Sequence, residues 1–146
     1  MSYRELANRL EKATGPDREL DVKIALVFGT IRARDGNYLY ATGNDEDMVL
    51  ERDYYAIDGG PRELPYYSAS LDAAIGLVRR VWPECRDGHI DPFGITPYAI
   101  LIDGKRIMEE PEFKGPMYWD ANGATPTLAL LIALLKALEA KENSDG

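Results

Sequence analysis

The segment Ala124-Thr125-Pro126-Thr127-Leu128-Ala129-Leu130-Leu131-Ile132-Ala133-Leu134-Leu135-Lys136-Ala137-Leu138-Glu139-Ala140 decides the fold, because it is apolar on nearly every side of a helix until Lys136. Thr125 is placed to accept a hydrogen bond from the first-turn N–H groups. Pro126 suits the first helical position, where no intrahelical bond is lost. Leu130, Leu134 and Leu138 form one ridge. Ala129, Ala133 and Ala137 form the ridge beside it, where small side chains let another element come close. A helix without a polar face is a buried helix. The sequence therefore predicts a largely buried helix from about Thr125 to Ala140.

The elements upstream follow from periodicity and punctuation. Ser2 and Glu5 have capping-box spacing, Leu6 and Leu10 share a helical face, and Gly15-Pro16 ends that helix. A second helix starts near Asp17, with Leu20, Ile24, Val27 and Phe28 as its stripe and Gly29 as its stop. Thr30 to Arg34 and Tyr38 to Ala41 flank Asp35-Gly36-Asn37, a hairpin signal. Met48 to Ile57 reads as a strand and Asp58-Gly59-Gly60-Pro61 as a turn. Ser70 caps a third helix with Leu71, Ala74, Ile75 and Val78 on its apolar face. Residues 83–94 read as a loop. Pro97 to Ile102 and Lys105 to Glu109 flank Asp103-Gly104, a second hairpin, and Met117 to Asp120 adds a short strand. Hairpins need no crossover, so the expected class is α+β, a mainly antiparallel sheet packed with helices. Residues 1–140 form one domain on this reading, and 141–146 a disordered tail.

Composition bounds the function. The chain has 146 residues, 45% of them hydrophobic, and a net charge of −8. Such a surface repels nucleic acid and anionic membranes, so neither is expected as a direct partner. One cysteine, Cys85, allows no internal disulfide, and the charged N-terminus lacks the apolar core of a secretory signal; a cytoplasmic location is expected.

No phosphate-cradling glycine motif and no G-x-S-x-G elbow occurs, so neither nucleotide chemistry nor serine hydrolysis is expected, and no catalytic residue is assigned. Ser68 and Ser70 read as helix caps. Three groups remain. Cys85, Asp87, His89 and Asp91 bring the only cysteine and histidine together with two carboxylates, a donor set that zinc accepts, although zinc sites more often draw on two separated pairs. Residues 44–63 are rich in acids. There Asp45, Glu46, Asp47, Glu51 and Asp53 with Tyr54 and Tyr55 form a solvated surface, a face for a basic protein partner or, without the EF-hand pattern, an oxygen-ligand site for a divalent cation. Arg79, Arg80, Trp82, Tyr118 and Trp119 supply the aromatic walls and cations of a small-ligand pocket, which Arg52 and Arg62 would extend. No cofactor is expected.

Three segments carry a resemblance. Tyr66-Tyr67-Ser68-Ala69-Ser70-Leu71-Asp72-Ala73-Ala74 leads into a helix containing Leu77-Val78. Ala124-Thr125-Pro126 leads into Leu128-Ala129-Leu130. The opening is Thr14-Gly15-Pro16-Asp17-Arg18-Glu19-Leu20-Asp21. Together they resemble the small bacteriophage and prophage proteins of the phage ABA-sandwich domain family. Their motifs are those of packing and capping, and Pro83 to Pro116 departs from the family's shorter members. The resemblance implies an α-β-α sandwich and a phage or prophage accessory protein in the host cytoplasm. It implies no activity and transfers no functional residues. The expected function is non-catalytic binding of a host or phage protein with a basic surface, for example as an antagonist of a host defence protein. The alternatives are a small-ligand sponge for a nucleotide signal and a small hydrolase or metal-dependent enzyme built on residues 85–91.

Overall fold

The computed structural model describes residues 1–29, 31–34, 37–40, 64–85, 87–91, 96–110 and 112–145. The expected Met48 to Ile57 strand and the turn after it lie outside these residues.

Thr125 opens the last helix as expected: its Oγ1 accepts from the Leu128 N–H at 3.1 Å. The helix, α5, spans Pro126–Asp145. Every residue from Leu128 to Leu135 is at most 2% exposed. The burial is all-round because the helix is shared. It packs against β4 (Tyr98–Ile102) and β5 (Tyr118–Asn122), and also against α1 (Tyr3–Lys12) and α3 (Leu71–Val81). β4 lies at the centre of a three-stranded antiparallel sheet, between β5 and β3 (Asp87–Asp91). The protein is thus mixed α+β, with helices packed on an antiparallel sheet. No described helix is long and apolar enough to cross a membrane.

The N-terminal elements match their caps. Ser2 accepts from the Glu5 N–H at the start of α1. Asp17 accepts from the Glu19 N–H at the start of α2 (Arg18–Val27), and Gly29, with φ at 70°, follows its last turn. β1 (Ile31–Arg34) pairs with β2 (Asn37–Tyr40) as the expected hairpin.

Two expectations for the centre are corrected. Residues 83–94 are not all loop, since Asp87 to Asp91 pair residue for residue with Ile102 to Tyr98 as β3. The Gly and Pro breaks that suggested a loop flank this short edge strand or, at Gly88, lie within it. The second correction concerns Asp103-Gly104, which is no hairpin turn. Asp103 Oδ1 accepts from the Arg106 N–H at 3.0 Å, capping a short helix, α4 (Gly104–Glu109). Asp-Gly satisfies a tight turn and an N-cap equally well. β4 finds its neighbours in β3 and β5 instead.

The tail is also shorter than expected, because α5 continues through residues 141–145. Lys141 Nζ reaches Asp103 Oδ2 at 2.7 Å, tying that part of α5 to the start of α4. Asp103 is only 2% exposed. Burial by itself raises an acid's pKa. The hydrogen bonds from Lys141 and the Arg106 N–H, and the two positive charges, outweigh burial and hold Asp103 below the usual carboxylate range. A depressed folded pKa stabilises above the ordinary carboxylate value of about 3.9, and the contribution is lost as pH falls through the lower folded value. Asp103→Asn keeps the cap and loses the ion pair. We expect it to cost about 1.5–3 kcal/mol at neutral pH, and the deficit to shrink as denaturation is measured from pH 5 downward. A deficit independent of pH would exclude the ion pair as its cause.

Gly123 joins β5 to α5 by close approach. A Cβ there would sit 2.7 Å from the Ala129 nitrogen and 3.1 Å from its Cα, both backbone atoms that cannot swing aside. Gly123→Ala should cost about 1–3 kcal/mol in urea denaturation by prising the strand from the helix.

A buried polar knot holds the 64–70 segment to α2. Asp21 has no exposed surface. It accepts from Arg18 Nη1 at 2.8 Å and from the Ser68 N–H at 2.7 Å. Arg18 also donates to the Leu64 and Pro65 carbonyls and lies 3.8 Å from the Tyr66 ring centre. Ser68 corrects its expected role. Its Oγ accepts from the Asp17 N–H and donates to the Asp17 carbonyl, bracing α2, while Ser70 alone caps α3.

Candidate functional site

Strand alternation sorts the sheet into two faces. The register places Gly88, Ile90, Ala99, Leu101, Trp119 and Ala121 on one face. Ala99, Leu101 and Ala121 are buried, so this face is toward α5. The other face carries Tyr98, Ile100 and Ile102 along the central strand, all half-buried. Asp87, His89 and Asp91 flank them on β3, and Tyr118, Asp120 and Asn122 on β5, all exposed. Tyr98 donates its hydroxyl proton to Asp120 Oδ2 at 2.9 Å, and that hydrogen bond raises its pKa. Tyr118 is 61% exposed. The outer face therefore has an apolar centre, an acidic rim and one exposed aromatic.

The quartet expected to hold a metal is spread along the edge strand. Asp87, His89 and Asp91 alternate on one face, each about 7 Å from the next by strand geometry. Cys85 precedes the strand, half-buried, with Sγ 3.5 Å from the Asp87 carbonyl. Burial pushes its thiol pKa up, against smaller opposing hydrogen bonds, so little thiolate is present at neutral pH. Among the described residues, no group of three His, Cys, Asp or Glu is placed to hold a metal ion.

The five residues expected to line an aromatic pocket part company. Trp82 is 1% exposed and meets Trp119 edge to face, with centroids 5.6 Å apart at 75°. Lys141 Nζ lies 5.1 Å from the Trp82 ring centre, so this pair belongs to the core and to the Asp103 contact. Tyr118 stands on the outer sheet face. Arg79 and Arg80 are exposed on α3.

Arg79 does, however, meet part of the other group. A cleft of about 350 Å³ lies between α3 and β3, and Arg79, Cys85, Asp87 and His89 all line it. The acidic and aromatic residues Asp45, Glu46, Asp47, Glu51, Asp53, Tyr54 and Tyr55, like Arg52 and Arg62, lie outside the described residues.

The polar residues that reading the sequence missed are Asp21 and Asp103. Their signal is faint: each acid sits one helical turn from an Arg that follows or precedes it. The partners that bury them, Ser68 and Lys141, are remote in sequence.

Comparison with models of known protein families, with curated proteins and with solved structures found no match to this chain.

Proposed function

We propose that this chain is a non-catalytic binding protein, a phage or prophage accessory protein that engages a basic patch on a host or phage protein through the acidic outer face of its sheet. The observation that carries the reading is the make-up of that face. Half-buried Tyr98, Ile100 and Ile102 form its centre, and Asp87, Asp91 and Asp120 its rim. Apolar centres rimmed by polar groups are what interfaces are made of, and exposed aromatics such as Tyr118 are their usual anchors. A net charge of −8 gives long-range attraction to a basic partner, which includes proteins that otherwise hold nucleic acid. Antagonism of a host defence protein is the role that best unites this charge with the phage resemblance.

The test begins with host lysate passed over the immobilised chain. Each retained protein is then purified, and its Kd is measured against the wild type, Tyr118→Ala and Asp91→Asn/Asp120→Asn. The expected partner is basic, binds more weakly to both variants and weakens with added salt as charges are screened. Partners that bind all three chains alike, or no partner at all, would overturn the reading. Neutralising Asp45, Glu46 and Asp47 in a separate arm asks whether the 44–63 acids contribute to the same interface.

A further inference from the structure

Hydrogen bonding around β4 fixes which way the backbone of β3 points. At the two ends of β4, the Asp103 N–H donates to the Met117 carbonyl and the Gly123 N–H to the Pro97 carbonyl. Alternation between those ends turns Ala99 and Leu101 to β5, and Tyr98, Ile100 and Ile102 to β3. The register partners of these three are Asp91, His89 and Asp87. Gly88 and Ile90 are therefore left with their N–H and C=O groups turned to the other edge of β3, where no described strand lies. The Gly88 N–H does not reach β4: it donates to Asp87 Oδ1 at 2.8 Å.

The cleft between α3 and β3 runs along this open edge. Asp87, Gly88, His89 and Ile90 all line it. Side chains alternate across a strand, so consecutive residues share one cleft only along the backbone edge. Buried Val78 and Leu130 and half-buried Ile75 give the cleft aliphatic walls. An unpaired edge beside an apolar groove is where an extended peptide adds to a sheet. Alternation also sets what that peptide carries. Side chains beside Gly88 and Ile90 enter the cleft and meet its aliphatic walls. Those beside Asp87 and Asp91 stand on the outer face, next to exposed acids. Opposite charges across a strand pair stabilise it and like charges repel. A second copy of this chain is disfavoured for that reason, since β3 paired with itself sets acid beside acid.

We propose that the open edge of β3 takes up an extended segment of a partner protein as an added antiparallel strand, with aliphatic and basic side chains in alternation. The aliphatic residues lie opposite Gly88 and Ile90 and point into the cleft. The basic residues lie beside Asp87 and Asp91. Antiparallel addition continues the pattern of the sheet. The inference rests on the proposed function for the basic character of the partner, and adds the form in which that partner is held.

The experiment is calorimetry on the full chain with a capped peptide of alternating lysine and valine, matched in length to β3. A peptide of the same composition with its lysines and valines in two blocks should bind at least about tenfold more weakly. In an antiparallel addition the valines, opposite Gly88 and Ile90, turn their N–H groups to β3. N-methylation of the valines should therefore weaken binding at least about tenfold, and N-methylation of the lysines should leave it nearly unchanged. These comparisons use the wild-type chain, so none depends on a variant that folds. Asp87 is exposed, and Asp87→Asn keeps an acceptor for the Gly88 N–H; it should weaken binding and flatten its dependence on salt. Amide shifts in NMR should map to β3 and α3. Absence of binding, equal binding of the two methylated peptides or the reverse order, or β3 shifts that appear on concentrating the chain alone and so mark a second copy, would each overturn the inference. A lysate partner that depends on Tyr118 while the alternating peptide does not bind would leave the proposed function standing and sink this inference alone.

Discussion

Replacing Asp21 by Ala is expected to destabilise the protein by about 3–5 kcal/mol, a large fraction of the 5–15 kcal/mol that holds a typical domain. The reason lies in what the carboxylate leaves behind. Asp21 is the counter-charge of Arg18 and the acceptor for the Ser68 N–H, at a site closed to water. Without it, a guanidinium with only 16% of its side chain exposed loses an anionic partner held at 2.8 Å. The Ser68 N–H loses its acceptor outright. Urea denaturation, followed by far-UV circular dichroism, measures the loss. Arg18→Met/Asp21→Leu should recover a substantial part of it, because neither half of the buried pair is then left behind. A single-variant loss below about 1 kcal/mol, the scale of a surface pair, would show that the knot does not hold the 64–70 segment.

Leu134→Ala is expected to cost about 2–5 kcal/mol. Leu134 has no exposed surface and sits on a helix whose burial is shared between sheet and helices. A cavity there cannot collapse by moving one neighbour, since α5 is packed by β4, β5, α1 and α3 at once. That places the expected cost in the upper half of the range. The same substitution at Leu138, which is half-buried, should cost clearly less. Thermal and urea unfolding of the pair should give that order, and equal losses would mean that α5 is not the centre of the core.

The ease with which the fold could be read follows the range of the interactions involved. Thr125, Ser70, Asp17 and Ser2 each cap a helix through a hydrogen bond that spans at most three residues, so local sequence contains all of the relevant physics. The burial of α5 was legible for the same reason, because an all-apolar helix has nowhere else to go. β3 was not. Its one half-buried apolar side chain is Ile90, and it is a strand because β4 offers it an edge. α4 was missed because Asp103-Gly104 fits two local structures, and the choice between them is tied to Lys141, 38 residues away. The candidate site suffered most. Residues chosen as one pocket were split between the core, the outer sheet face and the cleft. Arg79 and Asp87, chosen for different reasons, line one cleft without a contact between them. Nothing in a linear pattern reports which side of a helix meets the edge of a strand.

The polar knot also bears on how the chain can vary. It joins Asp21 to Ser68 across a separation of 47 residues, so it works as a clasp on a long loop. Closing such a loop grows more costly only slowly with length, by about 0.6 kcal/mol for each doubling. Chain length between the two ends of the clasp is therefore nearly free to drift. Residues added or removed there are therefore expected to cost little stability as long as Asp17, Arg18, Asp21 and Ser68 keep their contacts.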